Sequence, residues 1–206
     1  MIADWASYFY PKHRLRIYVS LLLGLIGVAA SVATIYAAPL EGTSSLGCGL
    51  KALDCTKALS SPFARLAGIP LGVFGVFYFS FWTLNLRAFQ LTSNEGYLCF
   101  LSWITLLGVV MSVGLFGIMF FIIRAPCLYC LITHLCNLVS FALLWPVRKW
   151  RMHTPFTSEQ SRHFLALTAV AVLSSTALHL GNQVRSLNAQ MESLKAKSPQ
   201  DLPTKF

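Results

Sequence analysis

The stretch IIRAPCLYCLITH, residues 122–134, joins two long apolar runs through a short Arg-Ala-Pro turn. Cys127 and Cys130 stand two residues apart directly after Pro126. Proline is favoured in the first turn of a helix, so the pattern predicts a new helix that carries both thiols in its first turn. The apolar run that follows is long enough to cross a bilayer. The thiol pair is therefore expected at the mouth of a membrane span.

The composition of the chain agrees with this interpretation. Of its 206 residues, 56% are hydrophobic and only 11% are charged, whereas soluble domains have about 25% charged residues. The first apolar run is longer than the roughly 7–15 residues of a signal-peptide core, so it is interpreted as an uncleaved span. The sequence predicts an all-α integral membrane protein, with a four-helix transmembrane bundle plus a fifth transmembrane helix. The five expected spans are 17–38, 69–86, 97–123, 127–147 and 164–184.

Basic residues indicate the orientation of these spans. They cluster before the first span and between the fourth and fifth, and the positive-inside rule places both clusters in the cytoplasm. Lys and Arg are otherwise evenly divided between the two sides, so the assignment depends on their density beside the spans. The predicted segments are a cytoplasmic N-terminus (1–16), the bundle (17–147) with an outer loop (39–68), a cytoplasmic linker (148–163), the fifth helix (164–184) and an extracytoplasmic tail (185–206).

The net charge of +9 does not indicate nucleic-acid binding, because membrane topology accounts for the positions of the basic residues. The lipid bilayer is the expected environment, and no nucleic-acid partner is expected.

Four of the six cysteines are predicted to face the outer compartment, where disulfides persist. Cys48 and Cys55 lie in the outer loop, and the Cys127–Cys130 pair opens the fourth span. A fixed disulfide that staples the loop is one alternative. A zinc site of four thiolates is another, but an oxidising compartment disfavours it and no metal is expected. Within the membrane, Cys99 and Cys136 are expected to pack as small apolar side chains.

The position of the CxxC pair predicts reactivity. Unpaired N–H groups and the dipole at a helix N-terminus stabilise a negative charge, and they can lower a thiol pKa from ~8.5 towards neutrality. Such a disulfide exchanges electrons readily and is poorly suited to a purely structural role.

The fourth span also carries polar residues at helical spacing. Cys130, His134 and Asn137 recur at steps of four and three, so they share one face, and polar groups inside a span usually face the protein interior. A quinone could lie against Cys130 and accept a hydrogen bond from His134. A histidine satisfied by a neighbouring helix remains an alternative, and Asn137 is expected to join helices. Close helix contacts are expected at two pairs of glycines, Gly24 with Gly27 and Gly114 with Gly117.

Several motifs together resemble the vitamin K epoxide reductase (VKOR) family. They are Cys48, the Asp54–Cys55 dipeptide, Ser60–Ser61, GIPLGVFG (68–75) and CLYC (127–130), in the family's order. The likeness covers roughly residues 15–146, and it is closest to bacterial homologues without a fused thioredoxin domain. The DsbB type of thiol oxidase carries its CxxC in the first outer loop, whereas here the CxxC comes last.

The resemblance implies a membrane thiol–quinone oxidoreductase that supports disulfide-bond formation. The implied catalytic residues are Cys48, Cys55, Cys127 and Cys130, and the residues implied at the quinone are Ser61 and His134. Electrons from a separate thioredoxin-like (DsbA-like) protein would enter the loop pair, pass to the CxxC pair and end on ubiquinone or menaquinone. The implied location is the bacterial inner membrane, with the active site on the periplasmic side.

Two departures from the animal enzymes bear on the substrate. Leu71 stands where the resemblance places an asparagine that contacts the vitamin, and His134 stands where it places a tyrosine. The first departure, at Leu71, favours a simple quinone over an epoxide. A vitamin K epoxide or quinone reductase remains an alternative, as does a non-enzymatic membrane scaffold with structural disulfides.

Overall fold

A computed structural model describes residues 2–37, 55–92, 95–147 and 158–197. Long helices dominate: α1 (Ile2–Ala37), α3 (Leu71–Thr92), α4 (Glu95–Gly117), α5 (Leu128–Leu144) and α6 (Ser158–Lys197). A short α2 (Cys55–Ser60), a 3-10 turn (Pro62–Ala64) and a two-stranded hairpin of β1 (Arg65–Leu66) and β2 (Ile69–Pro70) precede α3. A π-helical segment (Ile118–Ile123) ends α4, and a 3-10 turn (Trp145–Val147) ends α5.

Four helical segments are long and apolar enough to cross a membrane: His13–Ala37, Gly96–Ile123, Leu128–Val147 and Ser161–Lys195. The predicted all-α membrane class is therefore confirmed. Helix α3 has 22 residues, but Asn85, Arg87 and Gln90 interrupt its apolar character near the C-terminus. A fifth membrane crossing, by α3, therefore stays a prediction. Helix α6 also extends well beyond the predicted 164–184, because it begins inside the predicted linker and continues to Lys197.

Helices α1 and α3 run antiparallel in close contact. A Cβ atom on Gly24 would lie 2.3 Å from the hydroxyl of Thr83, and one on Gly75 would lie 2.5 Å from that of Ser31. A Cβ atom on Gly27 would meet the ring of Phe79 at 2.4 Å. Helices that approach this closely need small residues at the contact. Glycine at these positions thus sets the distance between the two helices.

The expectation for the second glycine pair was wrong. Among the described residues, a Cβ atom on Gly114 or Gly117 would meet nothing within 4 Å. The close approach on α4 occurs at Gly108 instead.

One end of the bundle contains a large apolar core. Trp82, Leu86 and Phe89 of α3 pack against the start of α4 and the end of α5. The indole N–H of Trp82 donates to the hydroxyl of Thr105 at 3.0 Å, and that hydroxyl donates to the carbonyl of Leu101. The polar atoms buried at this contact are therefore paired within the bundle. The remaining members of the core are Ile17, Tyr97, Leu98, Leu101, Leu144 and Val147.

The opposite end carries the short elements. Helix α2 ends at Ser60, and the 3-10 turn and hairpin follow it. Leu66 pairs with Ile69, so the hairpin turn consists of Ala67 and Gly68, both with positive φ (52° and 81°). A two-residue turn of this kind needs positive φ at both positions. It returns the chain directly into α3.

Helix α6 packs along the outside of α3 and reaches the same end of the bundle. The ring of Phe164 stacks edge-on against Phe81 at 5.6 Å. The guanidinium of Arg185 donates to the backbone oxygen of Ile35 at 3.3 Å and lies 4.7 Å from the ring centroid of Tyr36. Arg185 thereby satisfies carbonyl groups at the C-terminal end of α1, where a helix leaves its last carbonyls without intrahelical partners.

Candidate functional site

The CxxC pair lies where α4 turns back into α5. Arg124 adopts a left-handed conformation (φ 53°) after the π-helical segment, and this turn brings Met119 back over the start of α5. The backbone N–H of Cys127 donates to the sulfur of Met119 at 3.3 Å. Cys127 has extended backbone angles (φ −105°, ψ 125°) and is the N-cap of α5. The helix thus begins one residue later than predicted, so Cys130, but not Cys127, lies in its first turn.

The two thiols of the pair interact directly. The pKa of Cys127 is lowered to about 7, chiefly because the Cys130 thiol donates a hydrogen bond to it. Burial opposes this effect, and the backbone N–H groups of Cys130 and Tyr129 add to it. These N–H groups belong to the open start of α5, where a helix stabilises negative charge. The direction of the pKa shift agrees with the expectation for a thiol at a helix start, but its largest cause is the neighbouring Cys130 thiol.

Cys55 lies against this pair. It begins α2 and packs in one apolar cluster with Ala58, Met119 and Cys127. Cys55 is 2% exposed and Cys127 is 0% exposed, so α2 covers the pair. Cys55 is disulfide-bonded, whereas Cys127 and Cys130 are free thiols. Cys48 lies outside the described residues.

A cavity of about 320 Å³ opens beneath α2 and extends between the helices. All six α-helices contribute side chains to its lining, most of them apolar, and Leu71 is one of these. Three residues singled out from the sequence, Ser61, Cys130 and His134, line it together. Its size and apolar lining are typical of a site for a small hydrophobic molecule. The free thiol of Cys130 lies at the wall of this cavity.

The two predicted quinone-binding residues differ in their own contacts. The hydroxyl of Ser61 donates to the backbone oxygen of Ala58 at 2.8 Å, which ties the 3-10 turn to α2. His134 makes no side-chain hydrogen bond to any residue within 2–37, 55–92, 95–147 or 158–197. The imidazole is thus available for a molecule in the cavity, and the alternative of a helix partner for His134 finds no support among these residues.

A polar network that the sequence did not reveal lines the same cavity. The hydroxyl of Tyr78 on α3 donates to the side-chain oxygen of Asn137 on α5 at 2.5 Å. The amide nitrogen of Asn137 donates to the hydroxyl of Ser112 on α4 at 3.0 Å. Asn137 therefore joins three helices, as the sequence suggested for it, but its partners lie 59 and 25 residues away along the chain. No local pattern marks Tyr78 or Ser112.

The other two cysteines in the helices stand apart from the site. Cys99 and Cys136 are free, buried thiols, and neither lines the cavity. Within the described residues, no group of three or more His, Cys, Asp or Glu side chains is placed to hold a metal ion.

The helices and the site define an integral membrane protein with a CxxC dithiol at the edge of an apolar cavity. Residues 18–145 match the vitamin K epoxide reductase family. Because the match covers more than half of the chain, the protein belongs to that family, and the resemblance in its cysteine motifs is confirmed. Membership makes it a membrane oxidoreductase of a family that handles thiols and quinones. No curated protein and no solved structure matches the chain significantly.

Proposed function

We propose that the protein is a quinone-dependent thiol–disulfide oxidoreductase that supports disulfide-bond formation. The observation that carries this function is the position of Cys130. Its thiol donates a hydrogen bond to Cys127, and its side chain also lines the apolar cavity. One sulfur atom is thus in contact with both the exchanging thiol and the space for a hydrophobic acceptor.

The inner step oxidises the CxxC pair. Two S–H bonds are lost and one S–S bond forms between Cys127 and Cys130, which releases two electrons and two protons. The acceptor in the cavity takes up both electrons and both protons, so a quinone becomes a hydroquinone. His134 would donate a hydrogen bond to a quinone carbonyl, and Ser61 would close the cavity beneath α2. Ubiquinone and menaquinone both fit this chemistry.

The outer step is thiol–disulfide exchange between Cys55 and Cys127. Exchange proceeds through a mixed disulfide, and the shared packing of these two residues supports direct contact between their sulfurs. A reduced loop pair, Cys48 and Cys55, would attack the Cys127–Cys130 disulfide and become oxidised itself. With Cys55 oxidised and the CxxC pair reduced, the structure corresponds to the state that follows this exchange and precedes reduction of the quinone.

Burial indicates how electrons would enter. Because Cys127 is fully buried under α2, a folded protein partner cannot reach it while α2 stays in place. Electrons would therefore arrive through the loop pair, with Cys48 meeting a separate thioredoxin-like (DsbA-like) protein. The partner dithiol becomes a disulfide as the loop pair becomes a dithiol, so the exchange balances. The basic clusters favour an extracytoplasmic position for this site, and the resemblance to bacterial homologues favours the periplasmic side of a bacterial inner membrane.

The direct test uses the purified full chain with a reduced thioredoxin-like protein and a soluble ubiquinone analogue. The expected result is one quinone reduced for each partner disulfide formed. The Cys48→Ala variant should lose oxidation of the partner but still reduce quinone when a small dithiol is supplied. No quinone reduction by the wild-type chain with either electron donor would refute the function.

The exchange between loop and CxxC pair has its own test. The Cys130→Ala variant lacks the thiol that resolves a mixed disulfide, so Cys55 and Cys127 should accumulate as a linked pair that peptide mass mapping identifies. The matched control is Cys136→Ala, which removes a buried thiol from the same helix outside the cavity and should trap nothing. A link from Cys127 to some other cysteine would contradict the proposed order.

A further inference from the structure

The network of Tyr78, Asn137 and Ser112 has hydrogen-bonding capacity that the protein itself does not use. A primary amide has two N–H donors and a hydroxyl has one. Asn137 uses one donor on Ser112, and the hydroxyl of Ser112 donates to no group in the described part of the chain. One N–H of Asn137 and the O–H of Ser112 therefore remain available.

These donors lie in surroundings where an unused donor is costly. Asn137 is 3% exposed and Ser112 is 7% exposed, and the cavity around them is mostly apolar. A buried donor without a partner destabilises the folded protein, because it loses its hydrogen bond to water. Other hydroxyls on the same helix avoid this cost by bonding to the carbonyl four residues earlier, as Ser102 does with Leu98 at 2.8 Å. Ser112 makes no such bond, and Asn137 bonds to it instead.

The network is also held in position. Tyr78 fixes the carbonyl side of the Asn137 amide and so sets which side carries the N–H groups. Gly108 leaves the space for this contact, because a Cβ atom there would lie 2.3 Å from the Tyr78 hydroxyl oxygen and 3.0 Å from the amide nitrogen of Asn137. The donors are thus oriented before any ligand binds.

The register of α5 places this network on the same helix face as Cys130, about two helical turns further along. Asn137 follows Cys130 by seven residues on the same helix face, ~10.5 Å along the axis, and it follows His134 by three residues, ~4.5 Å along the axis. A quinone has a carbonyl oxygen on each side of its ring, and both oxygens are acceptors only. A ring that lies along the cavity between Cys130 and Asn137 can therefore accept hydrogen bonds at both oxygens, from His134 at the nearer oxygen and from the network at the farther one.

Building on the proposed function, we infer that Tyr78, Asn137 and Ser112 form a second hydrogen-bonding site for the quinone, which holds the carbonyl oxygen farther from Cys130. Asn137 and Ser112 donate to this oxygen, and Tyr78 acts as a positioning residue through Asn137. The ligand class follows from the donors: a flat apolar ring with two opposed carbonyl groups.

The test measures binding and carbonyl vibrations in the full chain with its CxxC pair reduced. The probe is a short-chain ubiquinone labelled with carbon-13 at a single carbonyl group. In the wild-type protein, the infrared stretch of both carbonyls should lie below its value in detergent alone, because each accepts hydrogen bonds. In Ser112→Ala, the stretch of one carbonyl only should return towards the free value, and the dissociation constant should rise about fivefold, as the loss of one hydrogen bond implies.

Further variants separate a ligand contact from a general loss of structure. Tyr78→Phe should affect the same carbonyl and weaken binding about threefold, and the double variant should lose less than the product of both factors, because the residues act as one network. Ser140→Ala is the matched control, since Ser140 is a buried serine of α5 that does not line the cavity. It should leave both the spectrum and the affinity unchanged.

The outcomes also separate this inference from the proposed function. Wild-type binding and wild-type infrared bands in both Ser112→Ala and Tyr78→Phe would overturn the second site while thiol–quinone activity stands. The carbonyl band could respond to Ser112→Ala while the protein shows no Cys130-dependent quinone reduction. That result would support the second site and refute the proposed function. Absence of quinone binding to the wild-type chain would overturn both.

Discussion

The two ends of the bundle differ in how their buried space is filled. Around Trp82, large side chains form a continuous core, and the indole N–H is bonded to Thr105. Around Asn137, the hydrogen-bonded network lines a cavity of about 320 Å³. Protein interiors normally pack densely. An end that contains an apolar cavity of this size is suited to a small hydrophobic ligand.

The cysteines of the helices also differ between the two ends of the bundle. Cys99 packs near the Trp82 end and Cys136 on a buried face of α5, and neither has a cavity beside it. The Cys127–Cys130 pair occupies the opposite end, at an open helix start beside the cavity. The proposed redox pair thus differs from the other two helix cysteines in position, and thiol reactivity depends on the local stabilisation of the thiolate.

The largest effect is expected from Cys130→Ala, which should reduce quinone turnover to the level without enzyme. The sulfur that contacts both Cys127 and the cavity is then missing, so no disulfide can form within the pair. Quinone reduction under saturating small dithiol is the measurement. Cys136→Ala should keep wild-type turnover. An equal loss of turnover in the two variants would contradict a special role for the Cys130 thiol.

The next largest effect is expected at the packed end. Trp82→Ala removes a 1%-exposed indole and should lower the free energy of unfolding by about 3–5 kcal/mol, measured by denaturant titration in detergent micelles. Trp103→Ala is the control, since that side chain is 55% exposed and should change stability far less. If the folded Trp82→Ala protein bound quinone tenfold more weakly, the two ends would not be independent.

A steric probe should give a smaller effect at the cavity. Gly108→Ala forces the Tyr78 hydroxyl away from Asn137 without removing any polar atom, because the new Cβ would lie 2.3 Å from that oxygen. Quinone KM should rise about tenfold, as expected when one or two hydrogen bonds are disturbed. Gly114→Ala meets nothing within 4 Å and should keep the wild-type KM; parallel changes in both would indicate a general effect of alanine on α4.

The smallest effect is a pH dependence at Cys127. Since its pKa is about 7, the thiolate fraction should be low below pH 6 and should rise to a plateau above pH 8. The carbon-13 NMR shift of a labelled Cys127 measures this titration without a reagent that burial would exclude. In Cys130→Ala the principal hydrogen bond to the thiolate is lost, so the midpoint should move to higher pH. A midpoint unchanged by this variant would mean that the helix start alone activates Cys127.

Part of the site was predictable because it is local. The start of α5 near Pro126 and the shared face of Cys130, His134 and Asn137 follow from proline geometry and from the 3.6-residue period of a helix. The error of one residue at Cys127 arose because the chain is extended there, after a left-handed Arg124 that no sequence rule required. The five apolar runs likewise predicted the helices but not the full length of α6.

Contacts between helices were predictable only in outline. Two glycine pairs of similar spacing received the same interpretation, yet Gly24 and Gly27 touch α3 while Gly114 and Gly117 touch nothing. The spacing of glycines along one helix does not indicate which neighbouring helix packs against them. The same limit explains why Asn137 was expected to join helices but its partners, Tyr78 and Ser112, were not identified.

By itself, the sequence determined that this chain is a membrane protein, that a CxxC pair stands at the start of one of its helices, and which family it belongs to. Those properties depend on composition and on residues close together along the chain, where helix geometry is fixed. Only the tertiary structure decided that Cys55 packs on Cys127, that a cavity reaches Cys130, and that Tyr78 and Ser112 meet at Asn137. Such contacts depend on the packing angles and rotations of several helices at once, which the local pattern of a single helix does not specify.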